Sequence, residues 1–323
     1  MPKIVFEGQE YVINNNETIL ECLLRHGVSV DHSCRAGVCH SCMMQATEGT
    51  PTALSQAGLK DALIAQNYFL ICTCKPEGDI TLQKPGRELT SVASSVISLE
   101  RLTPDILRLR LARPAQYSYF PGQFLNLHGP NGVVRSYSLA SLAEGEDFLE
   151  LHIRHIPNGK LSGWVHTQLQ PGDKVEISPA TGDCFYTPGQ PEQNLLLVGT
   201  GTGLAPLYGI LREALRQDHR GQIQLYHGSS TVDGLYLQEE LQAIAKAHDN
   251  VHYHPCISRG TPPAGVTSGR ANERALTENS KLSGWRIYLC GREDMVKDMQ
   301  KKTFLAGASM KDIYADPFIK SED

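Results

Sequence analysis

The sequence lacks a long apolar run, a surplus of positive charge and any repeated or low-complexity segment. No stretch approaches the roughly 18–20 apolar residues of a membrane-spanning helix, so we expect no membrane span. The 30 basic and 35 acidic side chains give a net charge of −5 at pH 7, which argues against a nucleic-acid-binding surface. Residues 1–4 do not begin a basic region followed by an apolar one, so we expect no signal peptide and a cytoplasmic location.

The cysteine content is high for a chain of 323 residues, which has room for two or three domains of ~150 residues. The nine cysteines cannot all pair within one chain because their number is odd, and cytosolic proteins rarely carry structural disulfides. Six of them lie in the first 74 residues: Cys22, Cys34, Cys39, Cys42, Cys72 and Cys74. This distribution indicates an N-terminal module with chemistry of its own.

The order of apolar runs and turns predicts three domains. Residues 1–86 hold the clustered cysteines and end in turn residues. Residues 91–190 alternate short apolar strands with glycine and proline turns, which predicts a small antiparallel β-barrel. From residue 191 onward strands alternate with helices, which is typical of βαβ units and a parallel sheet. We therefore expect a multidomain protein of the α+β and α/β classes, with domains 1–86, 91–190 and 191–323.

Three cysteines form the motif C-x4-C-x2-C at Cys34, Cys39 and Cys42, and a fourth, Cys72, follows farther along the chain. This is the spacing of plant-type 2Fe–2S centres, whose loop must wrap around a small inorganic core. Backbone N–H groups of such a loop can hydrogen-bond to the sulfides. A structural zinc site is the alternative, but zinc sites usually pair two C-x2-C knuckles, and Cys72-x-Cys74 is a poor knuckle.

The motif, with C-R-A-G before its second cysteine, resembles the plant-type ferredoxin domain over residues 1–86. The resemblance implies a β-grasp fold and a 2Fe–2S cluster. In relatives with a Cys-x-Cys ending the first cysteine is the ligand, which leaves Cys74 as a neighbour. The implied ligands are Cys34, Cys39, Cys42 and Cys72. Residues 1–86 carry a net charge of −3, which suits either an acidic docking face for a redox partner or an ordinary solvated surface.

A second group of polar residues lies on a predicted strand of the barrel, at Arg135, Tyr137 and Ser138. Arg135 could neutralise a pyrophosphate, Tyr137 could stack on an isoalloxazine ring, and Ser138 could hydrogen-bond near flavin N5. The same three residue types could equally lie on any exposed strand. Alone, the pattern therefore leaves flavin binding open.

In context the pattern resembles the ferredoxin–NADP reductase superfamily, whose barrel carries R-x-Y-S/T after a P-G-Q-F/Y turn, here residues 121–124. The resemblance implies FAD rather than FMN, because members fused to a ferredoxin domain mostly hold FAD. It also implies that Ile153 and Arg154 line the flavin. A helix that opens at Ser162, after Gly159, is expected to meet the pyrophosphate with its N–H groups and dipole.

A glycine-rich turn follows a buried strand in the third domain and opens a helix, at Gly199, Gly201, Gly203 and Pro206. Such a turn lets a pyrophosphate approach the helix N-terminus. It is neither the G-x-G-x-x-G fingerprint nor a P-loop, and a tight strand–helix junction is the alternative. The form G-T-G-x-G-x-x-P resembles the NAD(P)H-binding turn of the same reductase superfamily.

Two further features resemble that superfamily. Cys290 and Gly291 end a late strand, where a cysteine can lie near nicotinamide C4 and order the ring without acting as a nucleophile. In relatives an aromatic residue near the C-terminus covers the flavin face that nicotinamide must reach. The resemblance implies Phe318 in this role, with Tyr314 as the second candidate. The implied catalytic residues are Ser138, Cys290 and Phe318.

The residues that follow the second strand of the third domain bear on the choice between NADH and NADPH. A 2′-phosphate requires Arg or Lys at this place, and residues 227–237 contain neither. Asp233 is acidic, which favours NADH. Ser229 and Ser230 could still hold a phosphate, so NADPH stays open.

The whole chain resembles the single-chain reductase components of bacterial oxygenases, such as those of benzoate dioxygenase and methane monooxygenase. The resemblance implies electron flow from NAD(P)H through FAD, which can divide a hydride's two electrons, to the one-electron cluster. The acceptor is then an oxygenase component docked near residues 34–42. One alternative is the same electron chain serving a pyridoxamine-dependent sugar dehydratase in deoxysugar synthesis. Another is a zinc-bound regulatory module on a degenerate flavoprotein.

Overall fold

The computed structural model describes residues 2–37, 39–85 and 91–319. The chain divides into two compact units, Met1–Leu89 and Thr90–Asp323. The predicted boundary at residue 86 lies outside the described residues, and the boundary at residue 190 stays a prediction. None of the helices in the described part of the chain is long and apolar enough to span a membrane.

The first unit is built on a five-stranded sheet with the order β2-β1-β5-β3-β4. The elements are β1 (Lys3–Phe6), β2 (Gln9–Val12), α1 (Ile19–Arg25), β3 (Met43–Glu48), α2 (Ala53–Gln56), α3 (Asp61–Ala65), β4 (Tyr68–Leu70) and β5 (Ile80–Gln83). The central pair β1 and β5 is parallel and the other pairs are antiparallel. Helix α1 begins in a capping box formed by Thr18 and Glu21. The mixed sheet with a helix packed on it is the expected β-grasp arrangement.

The second unit begins with a six-stranded antiparallel sheet of order β10-β7-β6-β11-β8-β9. Its elements are β6 (Val92–Thr103), β7 (Ile106–Ala112), β8 (Phe124–His128), β9 (Val134–Ser138), β10 (Phe148–Arg154), α4 (Lys160–Thr167) and β11 (Lys174–Ile177). An antiparallel bridge between Leu139 and Leu151 joins the two edges of this sheet. The sheet therefore closes into the expected barrel, around a core that includes the fully buried Leu109, Leu125 and Leu127.

The second unit continues with a six-stranded sheet of order β15-β14-β13-β12-β16-β17, in which every pair is parallel. Its strands are β12 (Leu195–Thr200), β13 (Ile223–Ser229), β14 (Val251–Ile257), β15 (Thr267–Ser268), β16 (Arg286–Arg292) and β17 (Ile313–Phe318). Its helices are α5 (Leu204–Arg216), α6 (Gln238–Ala247), α7 (Ala271–Glu278) and α8 (Glu293–Leu305). The strand order reverses between β12 and β16, and ligands of open α/β sheets bind beyond the carboxyl ends of strands at such a point.

Candidate functional site

The four predicted cluster ligands lie in two pairs. The N–H of Cys34 donates to the Cys39 sulfur at 3.5 Å, and the N–H of Cys39 donates to the Cys34 sulfur at 3.4 Å. The thiol of Cys42 contacts that of Cys72, and both are buried. Each iron of a 2Fe–2S cluster takes two thiolates, so two pairs suit such a cluster. In residues 2–37, 39–85 and 91–319, no three His, Cys, Asp or Glu side chains form a single metal-binding group.

The loop that carries Cys34 and Cys39 directs backbone N–H groups toward sulfur. Arg35 and His40 both adopt left-handed backbone conformations, and the N–H of Ala36 donates to the Cys34 sulfur at 3.4 Å. Hydrogen bonds, first from the Ser41 hydroxyl and then from the Cys34 N–H, lower the pKa of the Cys39 thiol to about 6. Because the thiolate is the form that binds metal, this donor set fits an iron–sulfur cluster.

Cys74 lies in a different environment from Cys72. It is fully buried, and its carbonyl oxygen accepts the N–H of Ile19 at the start of α1, at 2.9 Å. Its sulfur lies 4.0 Å from the Thr52 hydroxyl. The contacts of Cys74 are those of a packed core residue, which supports the choice of Cys72 as the fourth ligand.

The predicted flavin residues of β9 lie along one strand of the barrel wall. Arg135 and Tyr137 pair with Leu127 and Leu125 of β8. Tyr137 packs on the barrel core, and burial raises the pKa of its hydroxyl to about 12. The Arg135 guanidinium donates to the carbonyl of Val134 at 2.8 Å. A cation and a half-buried aromatic ring on alternate residues suit the pyrophosphate and ring of a flavin nucleotide.

Helix α4 begins at Lys160, two residues before the start predicted at Ser162. Gly159 occupies the N-cap position, and the Ser162 hydroxyl accepts the N–H of Ile156 at 3.1 Å. The Ser162 side chain therefore holds the preceding loop. Its backbone N–H still belongs to the first turn, where amides lack acceptors within the helix. The helix N-terminus thus keeps the N–H groups and dipole that suit a pyrophosphate.

Strand β10 presents two predicted flavin residues to opposite sides. Ile153 is fully buried in the barrel core. Arg154 pairs with Asp105 at 3.0 Å and lines a cavity beside the glycine-rich turn. A Cβ atom added to Gly201 would lie 3.0 Å from the Arg154 guanidinium. The structure thus places the Arg154 side chain at the third domain's glycine turn, although the resemblance implied a flavin contact.

The glycine-rich turn packs against the end of β16. A Cβ on Gly203 would collide with the carbonyl oxygen of Cys290, and a Cβ on Gly291, at φ +121°, would lie 2.6 Å from the Thr200 hydroxyl. Only glycine permits both approaches. Gly199 is the next-to-last residue of β12, and Pro206 lies in the first turn of α5, where its missing N–H costs nothing.

A cavity of about 740 Å³ opens beyond the carboxyl ends of β12, β13, β14 and β16. Arg154 and Asp105 of the barrel form one wall, and the segment after β13 forms another. Arg270 and Arg292 also line it. The volume lies within the range of small-ligand and cofactor sites. The sequence reasoning missed Arg270, because its position depends on helix α7, which was not predicted.

Three groups meet where the barrel contacts the parallel sheet. The Ser138 hydroxyl donates to Asp316 Oδ2 at 2.6 Å. Asp316 is the β17 partner of Cys290 on β16, and burial raises its pKa to about 6. Cys290 is fully buried, with its sulfur 3.7 Å from that of Cys184. Asp316 was not predicted as a functional residue. The only sequence feature that could have indicated it is its position two residues before Phe318.

The two aromatic candidates of β17 differ in exposure. Tyr314 is fully buried and stacks on Tyr288, with 5.3 Å between the ring centroids. Phe318 is the last residue of β17 and pairs with Arg292, which lines the cavity. The Phe318 side chain is partly exposed, whereas that of Tyr314 is not, so of the two only Phe318 has a ring that a bound ligand could contact.

Comparisons with protein-family models give a match in each of the three regions. Residues 4–77 match the 2Fe-2S iron-sulfur cluster binding domain, residues 94–186 the oxidoreductase FAD-binding domain, and residues 197–301 the oxidoreductase NAD-binding domain. The three matches follow one another in the order of the ferredoxin-like unit, the barrel and the parallel sheet.

Comparisons with whole proteins extend over nearly the full chain. The chain is 31% identical over 309 residues to the naphthalene 1,2-dioxygenase system ferredoxin–NAD(P)+ reductase component of Pseudomonas putida, covering 93% of each. It is 33% identical to the aromatic O-demethylase reductase subunit of an Amycolatopsis species, covering 90% of each. The crystal structure of Amycolatopsis cytochrome P450 reductase GcoB matches with a TM-score of 0.68 at 28% identity, over 98% of this chain and 99% of that one.

The close approach of Gly203 to Cys290 generates a testable prediction. In Gly203→Ala the added methyl group must push the turn from the end of β16, at a cost of about 1–3 kcal/mol. We expect the Kd for NAD+, measured by calorimetry, to rise about tenfold or more while FAD content stays unchanged. Gly78→Ala is the control, because no atom lies within 4 Å of its added Cβ. An unchanged Kd in Gly203→Ala contradicts the assignment of the turn.

Proposed function

The chain belongs to the single-chain ferredoxin–NAD(P)+ reductase components of oxygenase systems, and we propose that its own acceptor is an oxygenase component. It is an oxidoreductase that carries electrons from NAD(P)H through FAD and a 2Fe–2S cluster to a partner. The presence of all three cofactor domains in one chain carries this conclusion. The sugar-dehydratase and zinc-module alternatives are not favoured, since the two relatives described above are named as the reductase of a dioxygenase system and of an aromatic O-demethylase.

When bound, the flavin supplies the conversion of a two-electron hydride donor into single electrons that the cluster accepts. The residues of the chain hold and orient it. Arg135 and the first-turn amides of α4, which include Ser162, bind the pyrophosphate. Tyr137 packs along the ring system. Ile153 contributes only its backbone to the flavin site, because its side chain lies in the barrel core.

The reaction centre is the junction of Ser138, Cys290 and Asp316. The Ser138 hydroxyl donates to Asp316 at 2.6 Å, so its oxygen would be held in place to accept a hydrogen bond from a bound flavin. Burial raises the pKa of Asp316 to about 6, so this carboxyl group is mainly protonated only below that pH. Cys290 lines the nicotinamide side of this reaction centre. It does not act as a nucleophile, since burial raises the pKa of its thiol well above the ordinary value. Phe318 covers the flavin face until nicotinamide enters.

We favour NADH as the donor. The segment of residues 227–237 contains no Arg or Lys, and Asp233 lines the cavity. Each of the three arginines that line the cavity has a carboxylate partner. Arg154 lies 3.0 Å from Asp105, Arg270 lies 3.4 Å from Glu273, and Arg292 forms an ion pair with Asp294. A 2′-phosphate must compete with these carboxylates, which disfavours NADPH.

The docking site for the acceptor is expected around residues 34–42. Cys34, Cys39 and the neighbouring Arg35 and His40 are exposed at this loop. A short distance from cluster to surface favours transfer of an electron to a bound partner. The net charge of −3 over residues 1–86 suits a partner with a basic face. The cytoplasmic location inferred from the sequence stays a prediction.

The fourth ligand is tested by Cys72→Ser, with Cys74→Ser as the matched control. Cys72→Ser should lose the visible absorbance of the cluster and electron delivery to the oxygenase, because one iron loses a thiolate. It should keep NADH-to-ferricyanide turnover through the flavin. Cys74→Ser should keep the cluster. The opposite pattern, with the cluster lost only in Cys74→Ser, would make Cys74 the ligand.

The nucleotide preference is tested by steady-state kinetics with NADH and NADPH and ferricyanide as acceptor. The kcat/KM for NADH should exceed that for NADPH by about tenfold, the effect of ~1.4 kcal/mol of charge repulsion. Asp233→Asn should narrow this ratio by raising kcat/KM for NADPH alone. A higher kcat/KM for NADPH in the unaltered protein would instead assign a 2′-phosphate to the Ser229, Ser230 and Arg270 side of the cavity.

The raised pKa of the partly buried Asp316 carboxyl group predicts a pH dependence of stability. Asp316 has a higher pKa folded, about 6, than its ordinary value near 4. The folded state therefore favours the protonated form of Asp316. The contribution of this carboxyl group to the free energy of unfolding is full below about pH 4 and is lost as the pH rises through about 6. Asp316→Asn removes this titration, so its free energy of unfolding relative to that of the parent should rise by up to about 3 kcal/mol between pH 4 and pH 7. Equal pH profiles of urea unfolding would rule out the raised pKa.

A further inference from the structure

A chain of buried polar side chains runs from the barrel toward the parallel sheet. His152 of β10 is buried, with Nε2 3.0 Å from Glu150 Oε1 and Nδ1 3.1 Å from the hydroxyl oxygen of Tyr236. Glu150 Oε2 accepts the Arg110 Nε–H at 2.8 Å. Glu150 and His152 belong to the barrel, whereas Tyr236 precedes α6 of the parallel-sheet domain.

The protonation states fix the direction of these hydrogen bonds. Burial lowers the pKa of His152, which is therefore neutral. Although burial opposes ionisation of Glu150, the hydrogen bond from His152 and the nearby arginines hold its pKa at about 2. Glu150 is thus a carboxylate that accepts Nε2–H of His152. Nδ1 of His152 is left as an acceptor, so the hydroxyl of Tyr236 is the donor.

The ring of Tyr236 packs between the rings of two histidines. Its ring stands edge-on to His152, with 5.2 Å between the centroids, and edge-on to His227, with 5.4 Å. His227 lies on β13 beside Gly199, the first glycine of the nucleotide turn. Tyr236 therefore bridges the barrel and the strand that adjoins that turn.

The segment that carries Tyr236 forms a wall of the cavity. Four residues of this segment line the cavity: Ser230, Thr231, Asp233 and Gly234. Arg154 and Asp105 of the barrel line the other side. The width of the cavity therefore depends on how the segment is held relative to the barrel.

The backbone next to Tyr236 is strained. Leu237 adopts φ 55° and ψ 26° while its side chain is buried. A branched aliphatic residue rarely adopts this left-handed conformation, which persists only where surrounding contacts determine it. Tertiary contacts, rather than local preference, thus set the path of the segment.

We propose that Tyr236 is a positioning residue for the nicotinamide dinucleotide, whose hydroxyl, through His152, holds the wall formed by residues 230–234 at a fixed distance from the barrel. Tyr236 lines neither the cavity nor the reaction centre, and acts through the segment that it anchors. The inference rests on the proposed function, because it takes the cavity as the dinucleotide site.

The test compares Tyr236→Phe with Tyr226→Phe in the full chain, with ferricyanide as acceptor. Tyr226 is equally buried and donates to Glu278 at 2.7 Å, but it does not line the cavity. In Tyr236→Phe the KM for NADH should rise about fivefold, the worth of one ordinary hydrogen bond, while kcat and FAD content stay unchanged. Tyr226→Phe should lose a similar amount of stability without a change in KM.

A double-mutant cycle supplies a second measurement. In a His152→Phe background the Tyr236→Phe change should no longer alter the KM for NADH, because the hydrogen-bond partner is already gone. An unchanged KM in Tyr236→Phe, or an equal rise in Tyr226→Phe, overturns the positioning role. A parent protein without NADH-dependent ferricyanide reduction refutes the proposed function itself, which separates the two failures.

Discussion

The hydrogen bond between Ser138 and Asp316 joins the barrel to the parallel sheet at the junction where we propose that nicotinamide and flavin meet. Hydride transfer needs the reacting atoms in near contact, about 3–3.5 Å apart, so these two layers must keep a fixed separation. Other polar contacts between the barrel and the parallel-sheet domain include the His152–Tyr236 hydrogen bond and the ion pairs Glu146–Arg212 and Glu144–Arg216. The close approach of the glycine turn to Cys290 fixes the position of that turn relative to the same junction.

The division of the chain into two compact units follows the division of the chemistry. Hydride transfer depends on contact, and every residue that we assign to it lies within Thr90–Asp323. Single electrons do not require the same contact geometry, and the thiol pairs of the cluster loop lie within Met1–Leu89. The sequence already separates the two roles, because six of nine cysteines fall in the first 74 residues.

Local patterns predicted what local interactions determine, and missed what distant contacts determine. The glycine-rich turn predicted a helix after it, which is α5 (Leu204–Arg216). The order of apolar runs and turns predicted the three structural regions. The role of Asp316 depends on Ser138, 178 residues away, which no local pattern reveals. Helix α4 starts before Ser162 because Gly159 caps it and the serine hydroxyl serves the preceding loop. The Arg154 side chain lies at the nucleotide turn because Ile153 takes the core side of the strand.

An anaerobic titration with NADH, followed by visible absorbance and electron paramagnetic resonance, tests the central claim that one chain links a hydride donor to a one-electron cluster. The account predicts loss of flavin absorbance together with the resonance of a reduced 2Fe–2S cluster. The total uptake should be about three electrons per chain, two on FAD and one on the cluster. Bleaching of the flavin without any cluster resonance, in protein whose iron content is complete, would contradict it.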